Sequence, residues 1–394
     1  MATGTRVSYT DSGIVPRGIA DAIHMIDWIE APLLTKFGFS MENKNKLGPT
    51  VNWPQTKLEW VEDTMPVVQS TLGEALDNSE TAWDVASGEG SYFRQGDVVG
   101  VYSTGGQIAE KAVVTSVSTD TLTVQARGYG DTNAASHSSG ATIEILTRTM
   151  PEASDFTTGY TTTTTQPYNY TQILSEAAKV SGTRSAISMY GIEDEMDYQI
   201  GKLFVDNGRA GRLPRMLEKT FFSGERVQRT ASVYGTMGGF EIFVTTSTAG
   251  ADHVTDLNGA PVQRSDIHSI IRAVKDDGGR CDTLITGSWG IEKITAMYEG
   301  QMRYTQDTER GGSDIRKILT PHGEVELIYA DQCPTDRMYF VDSTRVGWLP
   351  LRDFMRKEIK EQGDYFVSDV VGEYTFFVLN AKSHGYIKEM STSS

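Results

Sequence analysis

Residues 166–186 read QPYNYTQILSEAAKVSGTRSA and follow the run TTGYTTTTT at 157–165. The Thr run is too polar to bury and too β-branched for a helix, because Thr suits a pleated, half-solvated surface. It predicts an extended strand. ILSEAAKV at 173–180 predicts a short helix that ends at Ser181-Gly182. The question is what joins a Thr-rich ribbon to aromatics, a helix and a tight turn with no catalytic group nearby.

Downstream, Met189, Ile192, Met196, Ile200, Leu203 and Phe204 keep a 3.6-residue period that Leu213, Leu217 and Phe221 resume, so a long helical region is expected over about 187–222. Gly208, Gly211 and Pro214 interrupt it and are the hinge candidates, since Pro removes a ladder donor and Gly lowers helix propensity. From Gly235 onward the pattern mixes helices and strands. QRSDIHSIIRAVKDDGG predicts a helix with Ser265 as N-cap and Gly278-Gly279 at its end, DTLITG a buried strand, and SWGIEKITAMYEG a second helix. GEVELIYADQ, DRMYFVDS, RVGWLPL, VVGEYTFFVLN and KSHGYIKEM read as strands, giving an α+β core with a peripheral sheet.

Upstream, residues 82–148 hold short alternating or β-branched runs, YFRQGDVVGVY, AEKAVVTSVS, DTLTVQARGYGDT and GATIEIL, separated by Gly, Asp and Asn. They predict a small antiparallel sandwich or barrel inserted at the end of a long two-stranded loop. LGPTVNWPQTKLEWVEDTMP at 47–66, with three prolines, is the outgoing limb and the Thr run the return. Trp53, Trp60, Tyr168 and Tyr170 are aromatics on these polar strands and need apolar surface, in this chain or in a neighbouring copy. Further upstream, Ile19, Ile23, Ile26, Trp28 and Ile29 predict an amphipathic helix stopped before Pro32.

Composition narrows the chemistry. The 394 residues, 38% hydrophobic and 22% charged, suffice for two or three domains with ample core, and no run of about 18 apolar residues predicts a membrane span. The first residues lack a basic region followed by an apolar run, so a cytosolic product is expected. Cys281 and Cys333 predict buried free thiols. The six His residues have no metal spacing, GEGSYFRQG at 88–96 lacks the ending of a phosphate loop, and no GxSxG elbow occurs. Glu193, Asp194, Glu195 and Asp197 read as a solvated first helical turn, and Asn169-Tyr170-Thr171 has no export signal to make it a glycosylation site. No catalytic, metal or cofactor-binding residue is therefore expected. With 36 basic against 52 acidic residues, net charge −16, direct binding to nucleic acid is disfavoured, whereas an acidic wall that contains DNA is compatible.

The order of segments carries a resemblance. EAPLL, LEWVEDTMP, NYTQILSEAAKVSGT, GIEDEMD, FFSGERVQR, GTMGGF and GEYTFFVLNAKSHGYI, between about Ala31 and Ile387, resemble the major capsid proteins of tailed double-stranded DNA bacteriophages. RGYGDT followed by SHSSGATIEI is similar to modules in the extended loop of some members. The resemblance implies the shell fold shared with encapsulins and the herpesvirus capsid floor. It implies an N-terminal arm at 1–47, an extended loop at 48–81 and 149–175 with the barrel at 82–148, a peripheral domain with a spine helix at 176–231 and 346–394, and an axial domain at 232–345.

On this reading the Thr ribbon reaches a neighbouring subunit, and Trp53, Trp60, Asp63, Tyr168, Asn169, Tyr170 and Arg184 are the candidate subunit-interface residues. The implied partners are the chain itself, as homo-pentamers and homo-hexamers, a portal at one vertex, and scaffolding and decoration proteins. Packaged DNA is touched only indirectly, no membrane is involved, and the location is the virion capsid, assembled in the host bacterial cytoplasm. Two departures from the family pattern are the interrupted spine helix and the lack of a long scaffolding segment before the arm. The alternatives are another virion component, such as a tail or decoration protein, or a cytosolic enzyme.

Overall fold

The computed structural model describes residues 31–48, 53–63, 67–103, 105–152, 164–187, 192–206, 209–298, 316–359 and 363–392. The chain divides into two units, Met1–Trp60 with Gln166–Ser394, and Val61–Thr165. The amphipathic helix expected from Ile19 to Ile29 lies outside the described residues. Pro32, expected to stop it, opens α1 (Pro32–Phe37), at a first-turn position whose amide would have no helical partner anyway. A 3-10 turn at Met41–Asn43 and α2 (Lys44–Leu47) follow.

In the larger unit, β1 (Lys57–Glu59) pairs antiparallel with β8 (Tyr168–Tyr170). The ILSEAAKV segment corrects the sequence reading: it lies in a strand, β9 (Gln172–Ser181), and the short helix α3 (Gly182–Ala186) begins only where it ends. Leu174, Ala178 and Val180 are buried while Ile173, Ser175, Ala177 and Lys179 are exposed. Glu, Ala and Lys favour a helix locally, but β9 exchanges its backbone bonds with β18 (Tyr365–Val378) from Gln172↔Tyr374 to Ser181↔Tyr365. That long-range ladder satisfies the backbone and overrides a propensity worth only tenths of a kcal/mol per residue, about 0–0.7. On its other side β18 pairs with β17 (Val346–Ile359), giving the order β17-β18-β9.

The expected helical region is likewise divided. α4 (Glu195–Leu203) gives way to a two-stranded turn, β10 (Val205–Asp206) with β11 (Arg209–Ala210), before α5 (Arg212–Ser223). Asp194 caps α4, its carboxylate accepting the amides of Met196 and Asp197. Beyond α5 lie α6 (Phe240–Phe243) and β12 (Val254–Asp256), then α7 (Arg264–Asp276), β13 (Thr283–Thr286) and α8 (Ser288–Tyr298). Gln263, not Ser265, caps α7, through a reciprocal box with Asp266.

The remaining strands are β14 (Lys317–Thr320), β15 (Gly323–Tyr329), β16 (Met338–Val341) and β19 (Gly385–Lys388). They form the sheet β12-β19-β16-β13-β15-β14. β19 was expected with the peripheral strands but joins this sheet, antiparallel to β16 and parallel to β12. Ile267, Ile270 and Val274 of α7 pack with Leu284, Phe340 and Ile387. A separate aromatic core gathers Phe37, Phe221, Phe240, Tyr339, Trp348 and Phe376, all with at most 1% exposure. Cys281 and Cys333 are buried and free, and burial pushes the Cys281 thiol up to about 12.

The smaller unit is a six-stranded antiparallel sheet of β2 (Gln69–Thr71), β3 (Ala82–Asp84), β4 (Asp97–Tyr102), β5 (Ile108–Ser118), β6 (Thr121–Val124) and β7 (Thr142–Arg148). Its order is β2-β7-β4-β5-β6-β3. β2 precedes residue 82, so the sheet takes in more chain than the insertion expected there. The outer strands β2 and β3 meet at the bridge Leu72↔Val85 and the bond from Gly73 N to Asp84 O, 2.7 Å. The sheet therefore curls until its edges touch at a point rather than along a ladder. Trp83, Phe93, Val99, Val101, Leu122 and Ile143 fill its concave side.

Candidate assembly surface

The β1–β8 ribbon leaves the larger unit through a root that is polar yet buried. Leu58 pairs with Asn169, and both are buried; the flanking pairs Lys57↔Tyr170 and Glu59↔Tyr168 are more exposed. Asn169 Nδ2 donates to Gly238 O at 3.0 Å and Phe376 O at 2.6 Å, while Oδ1 accepts from Gly238 N at 2.8 Å and Tyr170 N at 2.9 Å. All four hydrogen-bonding positions of the amide are thereby filled, and one side chain ties the ribbon to the 237–239 turn and to β18.

Beside it, Thr171 Oγ1 donates to Glu373 Oε1 at 2.8 Å, Arg229 Nη2 reaches the same oxygen at 3.1 Å, and Arg352 grips Oε2 with Nε at 3.2 Å and Nη2 at 2.9 Å. Burial opposes ionisation of Glu373, but the hydroxyl and the two guanidinium groups outweigh it and hold the carboxyl below its ordinary value. Tyr168 lies against two cations, Arg226 at 4.3 Å and Lys57 at 4.2 Å from its ring centre.

The sequence-predicted interface residues separate into two groups. Trp53 and Trp60 belong to the chain's own core: Trp53 is 8% exposed and donates Nε1–H to Pro350 O at 2.7 Å, and Trp60 is 6% exposed and packs 5.5 Å from Phe243. With Asn169, also buried, they are packed within this chain: β17 holds Trp53 through Pro350, and the 237–244 segment meets Trp60 through Phe243 and Asn169 through Gly238. Tyr168 and Tyr170 are half-buried, and Asp63 and Arg184 are exposed.

Of the hinge candidates, Gly208 lies outside the described residues. Gly211 N-caps α5 and donates to Phe204 O at 2.7 Å; a Cβ there would stand 2.2 Å from that oxygen, so Ala at 211 clashes instead of simply favouring helix. Pro214 sits in the first turn of α5, where it breaks no helical bond. The interruption therefore lies before Pro214, in the β10–β11 turn.

The segment from Leu33 to Lys46 is clamped by groups that sequence reasoning missed. Lys46 Nζ donates to Phe37 O at 2.9 Å, Val346 O at 2.8 Å and Ser343 O at 3.2 Å, and Asn43 Nδ2 to Gly38 O and Trp348 O, both at 2.8 Å. Glu218 of α5, fully buried, accepts from Leu33 N at 3.3 Å through Oε2, while Oε1 has no partner among the described residues. Burial raises its carboxyl to about 8, against the lowering effect of the Leu33 and Leu34 amides, and Asp331 adds to the rise.

The smaller unit has its own buried hub. Glu110, with no side-chain exposure, receives Arg127 Nε at 2.7 Å and Nη2 at 2.8 Å, the amides of Gly128 at 2.9 Å and Ala135 at 3.0 Å, and His137 Nε2 at 3.0 Å. Burial works against the charge, yet these donors hold the carboxyl at about 2. RGYGDT and SHSSG are thus two loops drawn onto one carboxylate from β5. Arg127 and His137 were visible as motif residues, but nothing in the sequence linked them to Glu110.

The family model for the SU10 major capsid protein matches residues 1–391. Among solved structures, the capsid of the empty GTA particle computed with C5 symmetry is similar with a TM-score of 0.55 and 10% identity, covering 97% of this chain and 98% of that one. The capsid of the native GTA particle gives 0.54 at 10% identity, over 97% and 98%. The cyanophage A-1(L) capsid asymmetric unit gives 0.53 at 10% identity, over 98% and 100%. At such identity these structures show the fold alone. No curated protein matches the chain. Because the family match runs over nearly the whole length, the chain belongs to the SU10 major capsid protein family.

Proposed function

We propose that copies of this chain close, as pentamers and hexamers, into an icosahedral head around double-stranded DNA. As a major capsid protein of tailed phages it is a structural component of the virion shell and not an enzyme. The full-length family match carries the reading, and the five-fold symmetry of the similar GTA particle supports rings of five. A portal at one vertex and scaffolding and decoration proteins are the further partners proposed.

Residues 48–81 and 149–175 act as limbs of the extended loop in this proposal. Charge favours placing the small sheet outside the shell. Residues 61–165 carry 14 acidic against four basic residues, so they hold −10 of the net −16 and would be repelled by packed phosphates. Negative-stain microscopy and native mass spectrometry of the chain expressed alone test the proposal. Shells, or rings of five and six copies, are expected; a small monodisperse species at every concentration would overturn it.

A further inference from the structure

Residues 225–236 form a hairpin between α5 and α6. Val227 and Thr236 exchange both backbone bonds at 3.1 Å, Thr230 N donates to Val233 O at 3.1 Å across the tip, and Thr236 Oγ1 donates to Glu225 O at 2.6 Å. Its root is fixed to the ribbon: Arg226 Nη1 donates to Tyr168 O at 3.0 Å and Arg229 Nη2 to Thr171 O at 3.3 Å. Such a root prepays the ordering cost of a contact. The tip nevertheless presents Tyr234 with 96% of its surface exposed, beside Val233 at 44%. A large aromatic held out on a rigid, uncharged tip is the residue type that anchors interfaces.

The same chain carries a groove with room for such a side chain. Between β9 and α4 lies an open groove of 540 Å3 lined by Ala177, Val180, Arg184, Glu195, Gln199 and Leu203. Within it Arg184 pairs with Glu195 at 3.4 Å and Gln199 Nε2 donates to Glu195 Oε1 at 2.7 Å, while Lys179, which also lines it, stands 5.5 Å from the Tyr365 ring centre, so these polar groups have partners in their own chain. Residues 177–181 lie six to ten residues along the strand from Thr171, roughly 20–33 Å from the hairpin root. Tyr234, almost wholly exposed, does not occupy the groove of its own chain.

We propose that Tyr234 seats in the β9–α4 groove of a second copy. The contact joins two different patches of one chain, and such heterologous contacts close into rings when the rotation per copy allows. It rests on the capsid reading, since it supplies a bond around a capsomer.

The test combines Tyr234→Cys with Gln199→Cys; both native thiols are buried and stay silent. After oxidation of assembled particles, a non-reducing gel is expected to show a ladder of covalent multimers up to five and six copies, absent from either single variant. Tyr234→Ala should lower particle yield at least tenfold with unchanged circular dichroism, while Tyr234→Phe keeps most of it. Particles that form normally with Tyr234→Ala, or a double variant that stays monomeric on the gel within intact particles, overturn the contact alone. A wild-type chain that forms neither rings nor particles overturns the capsid reading and this contact with it.

Discussion

Two buried carboxylates, one in each unit, behave in opposite ways. Glu110 in the smaller unit and Glu218 in the larger are both without exposed surface, yet one is held at about 2 and the other is raised to about 8. Desolvation acts on both. The difference is the donors: Glu110 has a bidentate guanidinium, two amides and an imidazole, whereas Glu218 has two amides, a neighbouring Asp331 and one oxygen with no partner among the described residues. Burial alone therefore does not set a charge state; the count of donors facing the group does. Glu110 is an ionised hub that fixes loops, and Glu218 is mostly a neutral acid under the N-terminal segment at pH 7.

Breaking the hub gives the largest expected effect. Glu110→Gln leaves Arg127, 6% exposed at its side chain, as an uncompensated buried charge, a loss of about 3–5 kcal/mol. Hydrogen exchange of peptides from residues 61–165, followed by mass spectrometry across a urea titration, gives the midpoint of this unit by itself. A midpoint equal to wild type would show that the network is dispensable.

Asn169 extends the comparison to a neutral group with equally complete bonding. Asn169→Ala strips partners from the amide and carbonyl of Gly238 and from the carbonyl of Phe376, and should cost about 2–3 kcal/mol. Far-UV circular dichroism melts of the soluble chain check it. A fall in particle yield with no fall in melting temperature would instead make Asn169 a contact between subunits, as the sequence reading had it.

Glu218 gives the smallest effect and the sharpest sign. Its folded-state value lies above the ordinary 4.5, so its contribution is fully present below about 4.5 and is lost as pH rises through about 8. Glu218→Gln keeps the acceptor for Leu33 N without the charge, and should stabilise the chain at pH 8–9 by on the order of 1–2 kcal/mol and leave it unchanged near pH 5. Glu110 has the opposite slope: its contribution is present above about 4.5 and is lost as pH falls through about 2. Melting curves across pH for both variants would show crossed dependences; parallel ones would break the comparison.

Much of the architecture was legible before any coordinates. β4 to β7, α7, β13, α8 and the C-terminal strands follow from β-branched alternation, apolar stripes at helical spacing and glycine turns, because each signal is local and agrees with its tertiary setting. The candidate site was less legible. Tyr168, Asn169 and Tyr170 stood out as unusual residues on a polar strand, but their division into buried anchor and outward face is set by Gly238 and Phe376, far away in sequence.

What the sequence determined by itself was the class of the chain, the absence of a recognisable catalytic motif, the β character of residues 82–148 and the order of elements from α7 onward apart from β14. Only the tertiary structure decided that 173–180 is a strand, that Trp53 and Trp60 serve their own core, and that Arg127 and His137 share Glu110. In each case a partner distant in the chain supplies hydrogen bonds or apolar surface stronger than a local propensity of tenths of a kcal/mol.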